Sequence, residues 1–176
     1  LEFDITVAPT ANLVMSVGYS YVDAKYDEWG RLVSENGQVF TADFSDAPFV
    51  YIPENTLNAS VSYTLPLSPS IGEVTLTSTA YWQDTMQTND GAFRWSDLGW
   101  SDENLQEALD TVEADDYTVA NFRIDWGSVM GSNFDLAAYA NNAFDEEYIT
   151  GGLSVPDSLG WVAASYGAPR TYGASL

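Results

Sequence analysis

A chain of 176 residues with 45% hydrophobic content is long enough for one domain with a real core and too apolar to be disordered. Five basic against 26 acidic side chains give a net charge of −21, which repels nucleic acid and argues against any nucleic-acid partner. Cysteine and histidine are both absent, so the usual zinc, copper and iron ligand sets and the commonest general base are missing; no metal, no cofactor and no enzymatic activity are expected.

No apolar run of about 18 residues occurs, so no transmembrane helix is expected. Leu1 opens the chain without Met or a signal peptide, which reads as a piece of a longer polypeptide. Barrel strands need only ~10-residue segments of alternating polarity, and these are present from the start. Phe3, Ile5 and Val7 oppose Glu2, Asp4 and Thr6, like the tail of a strand. After a compact connection at 9–12, residues 13–22 set Leu13, Met15, Val17, Tyr19 and Tyr21 against Ser16, Gly18 and Ser20. A long segment follows at 26–54. Leu57, Ala59, Val61 and Tyr63 then alternate with Asn58, Ser60, Ser62 and Thr64, and a compact turn at 66–72 leads to Val74, Leu76, Ala80 and Trp82 against Thr75, Thr77, Thr79 and Tyr81.

The second long segment, 85–116, carries nine acidic residues and one base, Arg94, and belongs in water. Ser101 before Asp102 and Glu103 predicts the start of a short surface helix with a Leu105, Ala108, Leu109 stripe. Its carboxylates could bind calcium, but no spacing matches an EF-hand, so a solvated loop is the simpler reading. Phe93, Arg94, Trp95 and Trp100 are candidates for ligand contact, because exposed rings can stack on a catechol, a sugar or a porphyrin and Arg94 adds a cation. They can equally pack the loop on its neighbours. Ala120, Phe122, Ile124 and Trp126 then oppose Asn121, Arg123 and Asp125, and after a turn at 127–132, Phe134, Leu136, Ala138 and Ala140 oppose Asp135, Tyr139 and Asn141. A third long segment, 149–168, precedes a seventh strand at 171–176. The adjacent carboxylates Asp115–Asp116 and Glu146–Glu147 point apart in a strand and make no acid/base pair; no catalytic residue is expected.

Seven antiparallel strands joined alternately by short and long connections predict a transmembrane β-barrel segment with short periplasmic turns and long external loops. Tyr19, Tyr21 and Trp82 would form an aromatic girdle at the external rim, and Tyr63, Trp126 and Phe134 one at the periplasmic rim. The same alternation also suits a soluble β-sandwich whose apolar faces meet in a core.

The chain end narrows the choice. Asn141, Asn142, Phe144, Asp145 and Tyr148, followed by Pro169, Arg170, Tyr172 and Gly173, resemble the closing signature of TonB-dependent outer-membrane receptors. There an Asn-x-Phe-Asp-x-x-Tyr segment ends the penultimate strand and Pro-Arg-x-Tyr-Gly opens the last. The resemblance implies that residues 1–176 are the C-terminal portion of a single barrel domain, about the last seven strands of a 22-stranded barrel. It further implies an N-terminal plug domain and remaining strands outside this chain, energising by TonB through that plug, and contact with lipid and lipopolysaccharide in a Gram-negative outer membrane. The cargo would be a small scarce nutrient such as a ferric siderophore, taken up by ligand-gated active transport. Arg123 and Asp125 would face the lumen and pair with charges on the plug or on neighbouring strands. The family usually continues to a terminal aromatic, and Leu176 stops short of it. An acidic vestibule suits a neutral or cationic hydroxamate-type chelate, or a sugar, better than an anionic ferric catecholate. Two alternatives remain open: a passive porin-like or structural barrel, and a secreted β-sandwich that binds carbohydrate on Trp95 and Trp100.

Overall fold

The computed structural model describes residues 1–89, 101–154 and 160–176. Its main element is one antiparallel sheet of seven strands. In chain order these are β1 (Glu2–Thr10), β2 (Leu13–Tyr21), β5 (Asn55–Thr64), β6 (Glu73–Gln83), β9 (Tyr117–Gly127), β10 (Leu136–Asn141) and β13 (Thr171–Ser175), and they neighbour one another in that same order. At ~3.3 Å per residue, the eleven residues of β6 or β9 reach about 36 Å, and a 45° tilt reduces this to the ~25 Å of a barrel's apolar band.

Register carries the alternation across the whole sheet. Val7, Met15, Val61, Ser78, Phe122, Ala140 and Tyr172 form one continuous row, and Leu13, Tyr63, Leu76, Ile124, Ala138 and Ala174 form the next. This face is apolar and bare: Phe3, Val17, Phe122 and Ile124 are all more than two-fifths exposed. Among the described residues no second sheet packs on it, so the sandwich alternative does not describe this fold. The opposite face is a ladder of small polar groups. Ser16 and Ser60 hydroxyls meet at 2.7 Å, Thr64 and Thr75 at 3.1 Å, and Asn121 Nδ2 donates to Thr79 Oγ1 at 3.1 Å.

The two rims differ. Short turns join β1–β2, β5–β6 and β9–β10. Pro9, in edge strand β1, falls at a break in register between Val7 and Thr10, where a missing N–H is tolerated. Gly72 has φ +96° and lies against the carbonyls of Gly127 and Ser128, where a Cβ would approach to 2.3 Å, so two neighbouring turns can touch only with glycine there. Phe134, expected at the head of β10, lies in the turn instead, its carbonyl accepting from the Val129 N–H. The indole of Trp126 donates to the Ile71 carbonyl at 2.8 Å, as an aromatic at a wet boundary does.

The three long connections contain regular structure. The first holds a hairpin of β3 (Gly30–Glu35) and β4 (Gln38–Asp43), turned by Asn36 and Gly37, both with positive φ. The second holds β7 (Met86–Gln87), helix α1 (Asp102–Thr111) and β8 (Glu113–Ala114), which pairs with β7. The Ser101 hydroxyl caps α1 by accepting from the Asn104 N–H, as expected. The third holds the hairpin of β11 (Ile149–Ser154) and β12 (Val162–Tyr166). The buried apolar residues gather mainly here rather than in the sheet: Val112 and Ala114 are fully buried, with Ala108, Ala42 and Phe44 nearly so. Gly152 packs directly on Thr88 and Val112. Tyr51 joins all three connections, since its N–H donates to the Gln87 carbonyl and its hydroxyl bonds Gly152.

Candidate functional site on the polar face and its rim

Side chains on the polar face are placed by strand parity alone, and their positions along it follow from register. Asp4, Thr6, Ser16, Asn58, Tyr81 and Asn121 line a shallow groove of about 430 Å3. Gly18 leaves room for the Asp4 carboxylate, which lies over it. Above the groove, at the rim of the long connections, three tyrosines from distant parts of the chain converge. Tyr81 and Tyr117 both donate to Gln83 Oε1, at 3.1 and 3.0 Å, and Gln83 is buried. Tyr117 stacks on Tyr148 with ring centroids 4.4 Å apart. This surface can offer hydroxyls and ring faces to a polar or aromatic ligand.

Lower on the same face Arg123 and Asp125 stand two residues apart, and the structure pairs them with each other. Arg123 Nη2 lies 2.6 Å from Asp125 Oδ1, and Nε donates to Oδ2 at 2.8 Å. Residues i and i+2 share a strand face, so the long guanidinium reaches its own neighbour without crossing to another strand.

The expected ligand contacts Phe93, Arg94, Trp95 and Trp100 lie outside the described residues. By sequence, the segments that form the three long connections, 22–54, 84–116 and 142–170, hold 21 of the 26 acidic and four of the five basic residues, a net −17 of the chain's −21. Within this field Lys25 is held charged above its ordinary range by a hydrogen bond from Nζ to Asp23 at 3.2 Å. Asp43 is held below its ordinary carboxylate range by the side chain and N–H of Ser45.

The end motif is a clasp. Strand β9 runs eleven residues but β10 pairs only with its lower half, Phe122 to Trp126. The chain leaving β10 covers the remainder: the Ala143 N–H donates to the Ala120 carbonyl and the Asn142 N–H to Asn121 Oδ1. Asn142 is buried, its Oδ1 accepting from the Glu146 N–H and its Nδ2 donating to the carbonyls of Glu146 and Ala168. Asp145 accepts from the Arg170 N–H at 3.0 Å and lies 3.4 Å from its guanidinium, tying departing to returning chain. Phe144 projects onto Phe122 edge-on, and Tyr148 packs against Gly167. Gly173 faces Tyr139 across the β10–β13 pair, and Asn141 Nδ2 reaches Thr171 Oγ1. Pro169 immediately precedes this return, and Tyr172 stands exposed on the apolar face.

A single antiparallel sheet, bare and apolar on one side, polar on the other, and unequal at its rims, defines the wall of a membrane β-barrel. Residues 1–143 match the family described as TonB dependent receptor-like, β-barrel, and the chain belongs to it. Among solved structures it is similar to the ferric yersiniabactin uptake receptor FyuA from Yersinia pestis, with a TM-score of 0.65 and 10% identity over 98% of this chain and 22% of that one. The siderophore receptor PiuA from Acinetobacter baumannii gives 0.65 and 16% over 97% and 20%. FpvA of P. aeruginosa, solved with bound pyoverdines, gives 0.56 and 17% over 96% and 18%. At these identities the likeness is one of fold. The chain spans about a fifth of the length of the receptors it matches.

Proposed function

We propose that this chain supplies barrel wall and external connections to an outer-membrane receptor of a Gram-negative bacterium that imports a scarce nutrient by TonB-dependent active transport. The observation that carries this reading is the sheet itself. Its bare apolar face suits hydrocarbon, and among the described residues its outermost strands β1 and β13 each pair on one side only. Unpaired backbone groups cannot stand in lipid, so further strands of the same receptor close the sheet at both edges. A plug domain, also from the same polypeptide, fills the space before the polar face and passes the pull of TonB to it. The barrel then counts about 22 strands, of which these are the last seven, with the −17 rim outside the cell and lipopolysaccharide around the apolar face.

The cargo is a chelate of the siderophore type, and the acidic rim favours a neutral or cationic one, such as a ferric hydroxamate, over an anionic ferric catecholate. FyuA, a ferric yersiniabactin uptake receptor, PiuA, a siderophore receptor, and FpvA, solved with pyoverdine and iron, support that class. Uptake of labelled hydroxamate, catecholate and oligosaccharide ligands by cells carrying the whole receptor, with and without TonB, tests both statements. Hydroxamate uptake that stops without TonB is the expected result. Uptake indifferent to TonB would make the barrel a passive pore, and preference for the catecholate would defeat the charge argument. Recovery of the 176-residue segment as a stable soluble monomer would defeat edge closure.

A further inference from the structure

A cleft of about 430 Å3 opens where three chain segments leave the sheet side by side: 22–25 after β2, 48–54 before β5, and 85–87 after β6. Its apolar lining is Val22, Phe49, Ile52 and Met86, and Val22 and Ile52 remain 42% and 39% exposed. One wall is fixed from behind. Phe49 stacks on Tyr26 at 4.1 Å and 14°, Tyr26 lies 4.6 Å from Trp29, and Trp29 packs on the buried ring of Phe44 at 5.4 Å. The segment bearing Phe49 is further anchored at Tyr51 by the bond to Gln87. A wall held by stacked rings loses little freedom when a ligand settles on it, which is the condition for a preformed site.

The polar lining is asymmetric. Asp23, Lys25 and Glu54 stand at the cleft, and Lys25 is paired with Asp23 at 3.0 Å. Glu54 accepts from the Tyr21 hydroxyl and feels the charge of Lys25 across the cleft, but has no ion pair within 4.0 Å among the described residues, Lys25 being taken up by Asp23. The three long connections, net −17 by sequence, add to its preference for a positive partner.

We propose that this cleft binds a compact ligand with an apolar or aromatic body and one cationic group, the body against Val22, Phe49 and Ile52 and the cation toward Glu54. The volume falls within the ~300–1,000 Å3 of small-molecule sites. The site needs the receptor reading only for its position outside the cell; binding itself is a property of the folded rim.

The test uses the whole receptor purified in detergent and equilibrium dialysis against labelled benzyltrimethylammonium, with benzenesulfonate as an anionic probe of similar size. Heat-modifiable mobility on gels verifies folding of each variant. The cation is expected to bind and the sulfonate not to. Glu54→Gln weakens the cation about three- to tenfold, and Ile52→Trp, which fills the cleft from an exposed position, abolishes it. Equal binding of both probes, binding of neither, or a cation affinity unmoved by both variants overturns the proposal. Cation binding by a receptor that imports nothing in energised cells would leave the cleft standing and remove the transport reading.

Discussion

Asp145 and Arg170, 25 residues apart in sequence, are joined twice, by the Arg170 N–H to Asp145 Oδ1 and by guanidinium to carboxylate at 3.4 Å. The second contact is about half exposed on both sides and contributes little; the first, with the buried Asn142 below it, shapes the turn.

Asn142 and Asp145 therefore differ in weight. Asn142→Ala leaves three backbone groups without their partners and places alanine at φ 45°, costing about 3 kcal/mol, whereas Asp145→Asn costs under about 1 kcal/mol. Urea unfolding of the receptor in phospholipid vesicles measures both, and equal costs would deny Asn142 its central place.

Gly173 and Tyr139 are a matched pair. A Cβ at Gly173 would stand 2.7 Å from the Tyr139 hydroxyl, so Gly173→Val displaces the ring at a cost of about 1 kcal/mol. In the Tyr139→Ala background the same change costs less, and a double-mutant cycle reads the difference as coupling. Strict additivity would show that the ring does not cover the glycine.

The two faces of the sheet should answer oppositely to charge. Val17→Arg, midway along β2 on the apolar face, costs about 2–4 kcal/mol in a bilayer, while Asn58→Arg on the polar face of β5 costs a small fraction of that. Comparable losses at both positions would contradict a lipid-facing wall.

The root of the β3–β4 hairpin is pH-dependent. The Ser45 N–H donates to Asp43 Oδ1 at 2.9 Å, and Ser45 Oγ in turn accepts from the Trp29 N–H. Because Asp43 titrates below its ordinary 3.8 in the folded state, its contribution is complete above that value and fades as pH falls through the lowered one. Protection of the Ser45 and Trp29 amides, taken relative to their intrinsic exchange rates, should fall below pH ~4, and Asp43→Asn should remove the pH dependence of that protection.

The sheet was legible because parity needs only local sequence: an odd Leu13 and an even Ser16 declare their faces without knowledge of any partner. The cap at Ser101 was legible for the same reason. Residues Asn36-Gly37 between Leu32-Val33 and Val39-Phe40 carried an equally local hairpin signal, which reading 26–54 as one long connection passed over. The tyrosine cluster could not be read this way. Tyr81, Tyr117 and Tyr148 meet only because β6 lies beside β9 and the clasp folds back over it, a relationship held in register and not in spacing. Likewise the partner of Arg123 proved to be its own neighbour at i+2.

That last pairing fixes what this part of the polar face presents to a charge in front of it. Closed on itself, the Arg123–Asp125 unit acts at a distance as a dipole and not as a charge, and its field decays within a few ångströms. The long connections carry a net −17 by sequence, and an uncompensated charge of that kind is felt across a Debye length of ~8 Å. At the level of the pair Glu73 and Asp135 line the same hollow, so with Arg123 engaged by Asp125 the polar face stays acidic there as well as at its rim.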